Sequence, residues 1–261
     1  MSAILVLLAA AQAAPPAVKP IVGDLIFHYV RSNRDGSEPE HVVQFRPTRT
    51  GISVYKWVSK CTTSAYVTAE MDEGVGEGRR FVAGKVAPDG TQAQFGTLTL
   101  DPDNAALLVD ITPPGGSRIQ QAHKLKGRPF IIYDFDFADL NAFLQEHREE
   151  VHFSFNLPVV WPSDAGLFRD LGTLHANYDG EEVRDGRKVR MFFLGVEGPT
   201  TGMGKMWVDA AQGYIVEAEL NLPNHLEYRD FRLKLEKVEH GGRAAWDALT
   251  KSQYADCPTG N

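Results

Sequence analysis

The chain has 261 residues and a net charge of −7, with 43% hydrophobic and 23% charged side chains. Such usage is close to the globular average and excludes a disordered chain, a collagen and a coiled coil. The acidic balance argues against nucleic acid and anionic membrane surfaces as partners, since both select basic patches.

Residues 1–14 read MSAILVLLAAAQAA: the apolar run Ile4 to Ala11, then Ala11-Gln12-Ala13 as a small-x-small cleavage site. This is the layout of a secretory signal, and the run is far short of the ~20 residues that span a bilayer. The expectation is a signal peptide over 1–13 and a single β-rich domain over 14–261. The domain is expected to be exported, soluble and not membrane-spanning: periplasmic in a Gram-negative bacterium, otherwise extracellular. In such an oxidising space Cys61 and Cys257, which lie outside any zinc or CxxC spacing, are expected to form one disulfide.

Along the chain, period-two alternation predicts strands at 24–31, 40–46, 52–57, 63–70, 80–87, 93–100 and 107–111. In the third of these Ile52 and Val54 share a face, with Tyr55 and Trp57 around the other side. A further strand is predicted from Ile131, Tyr133, Phe135 and Phe137. Leu140, Phe143, Leu144 and His147 then recur at helical spacing, which predicts a helix over 137–150 with Asp136 as N-cap and Asp139 at its positive end. Val151, Phe153, Phe155 and Leu157 alternate with His152, Ser154 and Asn156. A short helix is expected from Ser163 to Leu171, closed by Gly172. Strands follow at 174–183, 189–193, 214–222 and 231–235, and a last helix at about 243–254 carries Trp246, Leu249 and Tyr254. Asp35-Gly36, Asp89-Gly90, Asp179-Gly180, Asp185-Gly186 and the segment 209–213 supply turns tight enough to make the strands antiparallel. One apolar and one polar face per strand predicts a sheet with one side in water.

Chemical motifs fail on inspection. Gly198 to Lys205 resembles a phosphate-binding loop, but Pro199 stands where its first glycine belongs and Met206 where its hydroxyl belongs. Gly74-Val-Gly-Glu-Gly78 lacks the flanking strand and helix of a dinucleotide site. Gly115-Gly-Ser117 is followed by Arg118-Ile119 and makes no nucleophile elbow. Asp101-Pro-Asp103-Asn104 lacks the glycine and distal glutamate of a calcium loop and reads as a turn. The histidines are scattered without metal-ligand spacing. No catalytic residue, metal or cofactor is assigned. The most suggestive acids are Asp134 and Asp136, two apart on one strand face, where crowding raises one carboxyl's pKa for general-acid work; an exposed strand face followed by a helix cap is the plainer reading.

The stretch Gly204-Lys-Met-Trp207-Val-Asp209, the turn through Gly213, and Tyr214-Ile-Val-Glu-Ala-Glu219 resemble a hairpin of the periplasmic outer-membrane lipoprotein carriers. The alternating strand Phe231 to Val238 fits the same pattern. The resemblance implies an α+β, mainly antiparallel fold: a strongly curved sheet, a half-barrel, with two or three amphipathic helices on its concave side over an apolar cavity. It also implies an arginine on an early strand that controls the lid, with Arg31, Arg46 and Arg49 all open for that role. The leading expectation is an exported binding or carrier module for an apolar or lipidic ligand, with Phe153, Phe155, Tyr214 and Phe231 as ligand-binding residues. A non-catalytic envelope interaction or structural protein is the alternative. A glycan-active hydrolase using Asp134 and Asp136 stands third.

Overall fold

The computed structural model describes residues 22–113, 115–163 and 166–258. The expected signal peptide at 1–13 lies outside them. Eight strands come first: β1 (Ile26–Ser32), β2 (Glu40–Phe45), β3 (Gly51–Trp57), β4 (Ala65–Met71), β5 (Gly78–Val86), β6 (Gln92–Asp101), β7 (Ala106–Ile111) and β8 (Ile119–Lys124). A 3-10 turn (Tyr133–Phe135) and helix α1 (Ala138–Glu146) follow. The chain continues through β9 (His152–Ser163), β10 (Gly166–Arg184), β11 (Arg187–Glu197), β12 (Gly202–Asp209), β13 (Ile215–Leu220) and β14 (Phe231–Glu239), and ends in helix α2 (Gly242–Lys251).

Hairpin chemistry sets the order. At Asp185-Gly186 both residues have positive φ, 50° and 75°, as a tight two-residue hairpin turn requires. Asp35 and Asp89 each hold their turns through one carboxylate oxygen, which accepts from the N–H and hydroxyl of Ser37 and of Thr91. The result is one fourteen-stranded sheet with the order β8-β7-β6-β5-β4-β3-β2-β1-β14-β13-β12-β11-β10-β9. Two meanders are joined where β1 pairs with β14, antiparallel like the other ladders. β8 and β9 lie at opposite ends of this order, yet Phe130 already bridges to Asn156 of β9, and the chain between the two strands then runs out across one face of the sheet and back. Residues 125–147 do so, and they form the centre of the core: Phe135 packs on Phe81 of β5, Phe137 on Phe231 of β14, and Phe143 on Phe153 and Phe155 of β9.

The side chains of β1 to β3 sort by parity. Phe27, Tyr29, Val42, Ile52 and Val54 belong to the main core under the recrossing segment. Ile26, Val43, Phe45 and Tyr55 point to the opposite face, where Trp246 of α2 lies on Phe45 and Tyr66 with ring centroids 5.5 and 5.6 Å away. The indole N–H donates to the Tyr66 hydroxyl at 2.9 Å.

Several expectations are corrected. The sheet is open and not strongly curled, and it carries two α-helices, so a half-barrel with two or three helices on a concave side is not the fold. The two helices cover opposite faces, because α2 takes up the second apolar parity of β1 to β4 and leaves neither face there wholly to water. Ser163–Leu171 is not helical: Phe168, Arg169 and Asp170 pair with Val160, Val159 and Pro158. Gly172, at φ +117°, is no helix cap; a Cβ there would run into the Glu197 carbonyl of the neighbouring strand β11. Asp179-Gly180 makes a bulge within β10, where the register shifts, instead of a turn. Residues 131–137 alternate as a strand does but form none, since polar and apolar side chains alike are enclosed by the sheet beneath them. The disulfide between Cys61 and Cys257 is present, with Cα atoms 5.5 Å apart. Among the described residues no helix is long and apolar enough to cross a membrane.

Candidate functional site

The recrossing segment is pegged to the sheet by polar groups. Asn141 of α1 donates to the Tyr29 hydroxyl and the Gln44 side chain, at 3.0 and 2.8 Å, and accepts from the Ile215 N–H at 2.8 Å. Arg46, just after β2, donates to Gln145 and Glu146 at the end of the helix. Ahead of the helix, Asp136 and Phe137 both have left-handed backbones, φ 52° and 56°, a conformation costly outside glycine and retained only where surroundings enforce it.

The surroundings of Asp136 are electrostatic. Its carboxylate is fully buried and meets the Lys56 ammonium at 2.5 Å, the Arg31 guanidinium at 3.4 Å and the Asn224 amide at 2.7 Å. Burial alone would raise its pKa, but Lys56 and then Arg31 outweigh that and hold it below the usual carboxylate range. Arg31 is completed by Glu40 at 2.5 Å and by the Tyr228 hydroxyl at 3.0 Å, and its guanidinium lies 4.2 Å from the Tyr228 ring centre.

Asp134 differs from its neighbour two residues on. Its Oδ1 accepts the Val160 N–H at 2.9 Å, and burial pushes its carboxyl up to about 6 despite the opposing pull of Lys56. Asp139, fully buried, accepts the N–H groups of Ile132 and Leu140 and is pushed up to about 7, again by burial.

Asp134 lines a partly enclosed pocket of about 260 Å³. One wall is sheet: Ala65 and Val67 of β4, Phe81 and Ala83 of β5, Phe95 and Leu98 of β6, and Ile111 of β7. The other is Ile132, Phe135 and Val160. Space arises because Val67 stands opposite Ala83, and Ala83 opposite Gly96, so the middle of the wall is built of small residues. Phe95 reaches the pocket through the bulge where β6 slips register against β5, a device that re-aims a side chain. Polar groups gather at one end: Glu40, Lys56, Asp134 and His225. Burial, then Lys56 and Arg31, press the His225 imidazole down to about 3, so it is neutral at ordinary pH. Its Nε2 is buried without a hydrogen-bond partner among the described residues. A larger surface hollow of about 380 Å³ lies near Thr48, Arg80 and Arg243, but it is more open and is rimmed by polar groups.

The expected ligand-binding residues lie elsewhere. Phe153 and Phe155 pack against Phe143; Phe231 is fully buried between Tyr133 and Phe137; Tyr214 packs on Phe27. None of the four is among the residues lining this pocket. Asp134 and Asp136 do not share a cleft: the first faces the pocket, and the second is consumed by Lys56 and Arg31. Of the three arginines left open for a lid-controlling role, Arg31 joins the Asp136 cluster, Arg46 braces α1, and exposed Arg49 pairs with Glu146.

Lys56, Glu40 and His225 escaped the sequence reading. For Lys56 a signal existed: it has the parity of Ile52 and Val54, so a charge sits on the core face of its strand, as Arg31 does beside Phe27 and Tyr29. A charge there must be paired, and that points to buried carboxylates. Comparison of the chain with protein-family models and with curated proteins finds no match.

Proposed function

We propose that the protein is an exported binding or carrier module that holds the apolar part of a small molecule or lipid. The observation that carries this reading is the pocket, with an apolar lining from five strands and the recrossing segment and its polar groups at one end. That is the composition of small-ligand sites: mostly apolar walls with a few convergent polar groups. At about 260 Å³ it is a little below the usual ~300–1,000 Å³, which suits a small ring system or one end of an acyl chain. Export is supported by the secretory layout of residues 1–13 and by the Cys61–Cys257 bridge, which an oxidising compartment maintains.

The test is binding of N-phenylnaphthylamine, a neutral apolar dye that brightens on leaving water. Wild type should enhance its fluorescence saturably, and an alkyl series should displace it about fourfold more tightly per added methylene until the pocket is full. Ala83→Trp, which fills the space opposite Val67, should remove the enhancement while circular dichroism stays unchanged. Absence of dye binding by wild type, together with no lipid in extracts of natively purified protein, would replace this reading with that of an envelope interaction protein.

A further inference from the structure

The polar end of the pocket has a definite electrostatic character. Lys56 and Arg31 are its two cations, and both are already spent: Lys56 lies 2.5 Å from Asp136, and Arg31 lies 2.5 Å from Glu40 and 3.4 Å from Asp136. Against them stand three carboxyls, those of Glu40, Asp134 and Asp136, so the cluster holds one acidic group beyond what its cations neutralise. Exposed Glu227, close to Glu40 and to His225, adds the same sign. Asp134 is the acid left over, since its hydrogen bond is to the Val160 N–H, with no cation on its carboxylate. The Lys56 ammonium is further engaged by the Asp134 carbonyl, to which it donates at 2.6 Å. His225, neutral at ordinary pH, adds no cation to this end.

We infer that this site selects apolar molecules whose head donates hydrogen bonds, an amine or a hydroxyl, and discriminates against a free carboxylate such as a fatty acid. The inference rests on the binding function proposed above. A donor head finds the Asp134 carboxylate as acceptor, and an ammonium also neutralises the surplus charge. A carboxylate head meets the Asp134 carboxylate, with like charge beside it and both cations already paired. Burying it there leaves it unpaired, which is the kind of penalty that gives selectivity in a low-dielectric site.

Octylamine, octanol and octanoate share a chain and differ in the head, so they isolate this effect. At about pH 8 the first is cationic and the last anionic. Displacement of N-phenylnaphthylamine from wild type should require at least about tenfold more octanoate than octanol, with octylamine at or below octanol, a gap worth one ordinary polar interaction. In Asp134→Asn, which keeps an oxygen for the Val160 N–H, the octanoate penalty should shrink to about threefold or less. Equal displacement by all three, or preference for octanoate, overturns the inference while leaving the binding function standing. Failure of the dye and all three ligands to bind overturns the binding function instead. The wild-type ranking decides the matter even if the variant fails to fold.

Discussion

The Asp136 carboxylate and the Lys56 ammonium are 2.5 Å apart in a place where Asp136 has no exposed surface and Lys56 has 6%. They come from a left-handed turn and from the C-terminal end of β3, and their pairing joins the recrossing segment to the sheet. Replacing Asp136 leaves the buried Lys56 ammonium without its carboxylate, while Arg31 keeps Glu40 and the Tyr228 hydroxyl. Asp136→Leu should therefore cost about 3–5 kcal/mol in urea unfolding. Lys56→Met leaves Asp136 with Arg31 and Asn224 and should cost clearly less. Equal losses for the two variants would show that the pair itself, and not the Lys56 charge left unpaired, governs the site.

Asp139 predicts a pH dependence. Its folded pKa is about 7, above the ~3.9 of an unfolded aspartate, so between these values the folded state keeps a proton that the unfolded state releases. Stability from this group is complete below about pH 4 and declines as pH rises to about 7. Asp134, raised to about 6, acts in the same direction, whereas His225, depressed to about 3, loses stability as pH falls below about 6.5. The Asp139 share is isolated by subtraction: the stability difference between wild type and Asp139→Asn should shift against wild type as pH is raised from about 4.5 to about 7.5. A difference independent of pH across that window would contradict the assignment.

The Cys61–Cys257 bridge closes a loop of 196 positions, for which the chain-entropy argument gives up to about 5 kcal/mol. Beside it, fully buried Gln253 binds the same corner independently: its amide donates to the Ser59 and Thr62 carbonyls and its oxygen accepts from the Tyr55 hydroxyl. Reduction should therefore lower the unfolding free energy yet leave α2 docked on Phe45 and Tyr66. Hydrogen exchange is the check; wholesale loss of protection in α2 on reduction would mean that Gln253 does not hold the tail.

Core and pocket should separate under truncation. Phe231 is fully buried with Tyr133 and Phe137 centroids 5.3 and 5.1 Å away, so Phe231→Ala should cost about 3–5 kcal/mol. The protein that remains folded should bind N-phenylnaphthylamine as wild type does. A large change in dye affinity at unchanged stability would place Phe231 in the ligand's path.

Features governed by near neighbours were legible in the sequence: the strand alternation, the tight turn at Asp185-Gly186, the hairpin from Trp207 to Glu219, a helix containing Leu140 and Leu144, and one disulfide. Each follows from residues a few positions apart, or from there being two cysteines only. The errors came where a local pattern had more than one tertiary use. Asp179-Gly180 serves a bulge as well as a turn, and Leu167 and Phe168 pack as well from a strand as from a helix. The alternation of 131–137 resembled a strand because the sequence does not show that Asp136 faces Lys56 and Arg31, and Asp134 a pocket, instead of water.

The curl of the sheet, the placement of α1 and α2 on opposite faces and the pocket itself were decided by tertiary structure alone. Ala83, Phe95, Ile111, Val160 and His225 meet only because the link between the two ends of the strand order recrosses the sheet. The same contact separates two carboxyls that look alike in sequence. Asp136 reaches Lys56 and Arg31 and stays ionised, while Asp134, with no cation on its carboxylate and burial against it, is left at the mouth of an apolar cavity with a raised pKa. A charge's environment inside a protein is set by which distant side chains face it, and pairing in sequence carries no record of that.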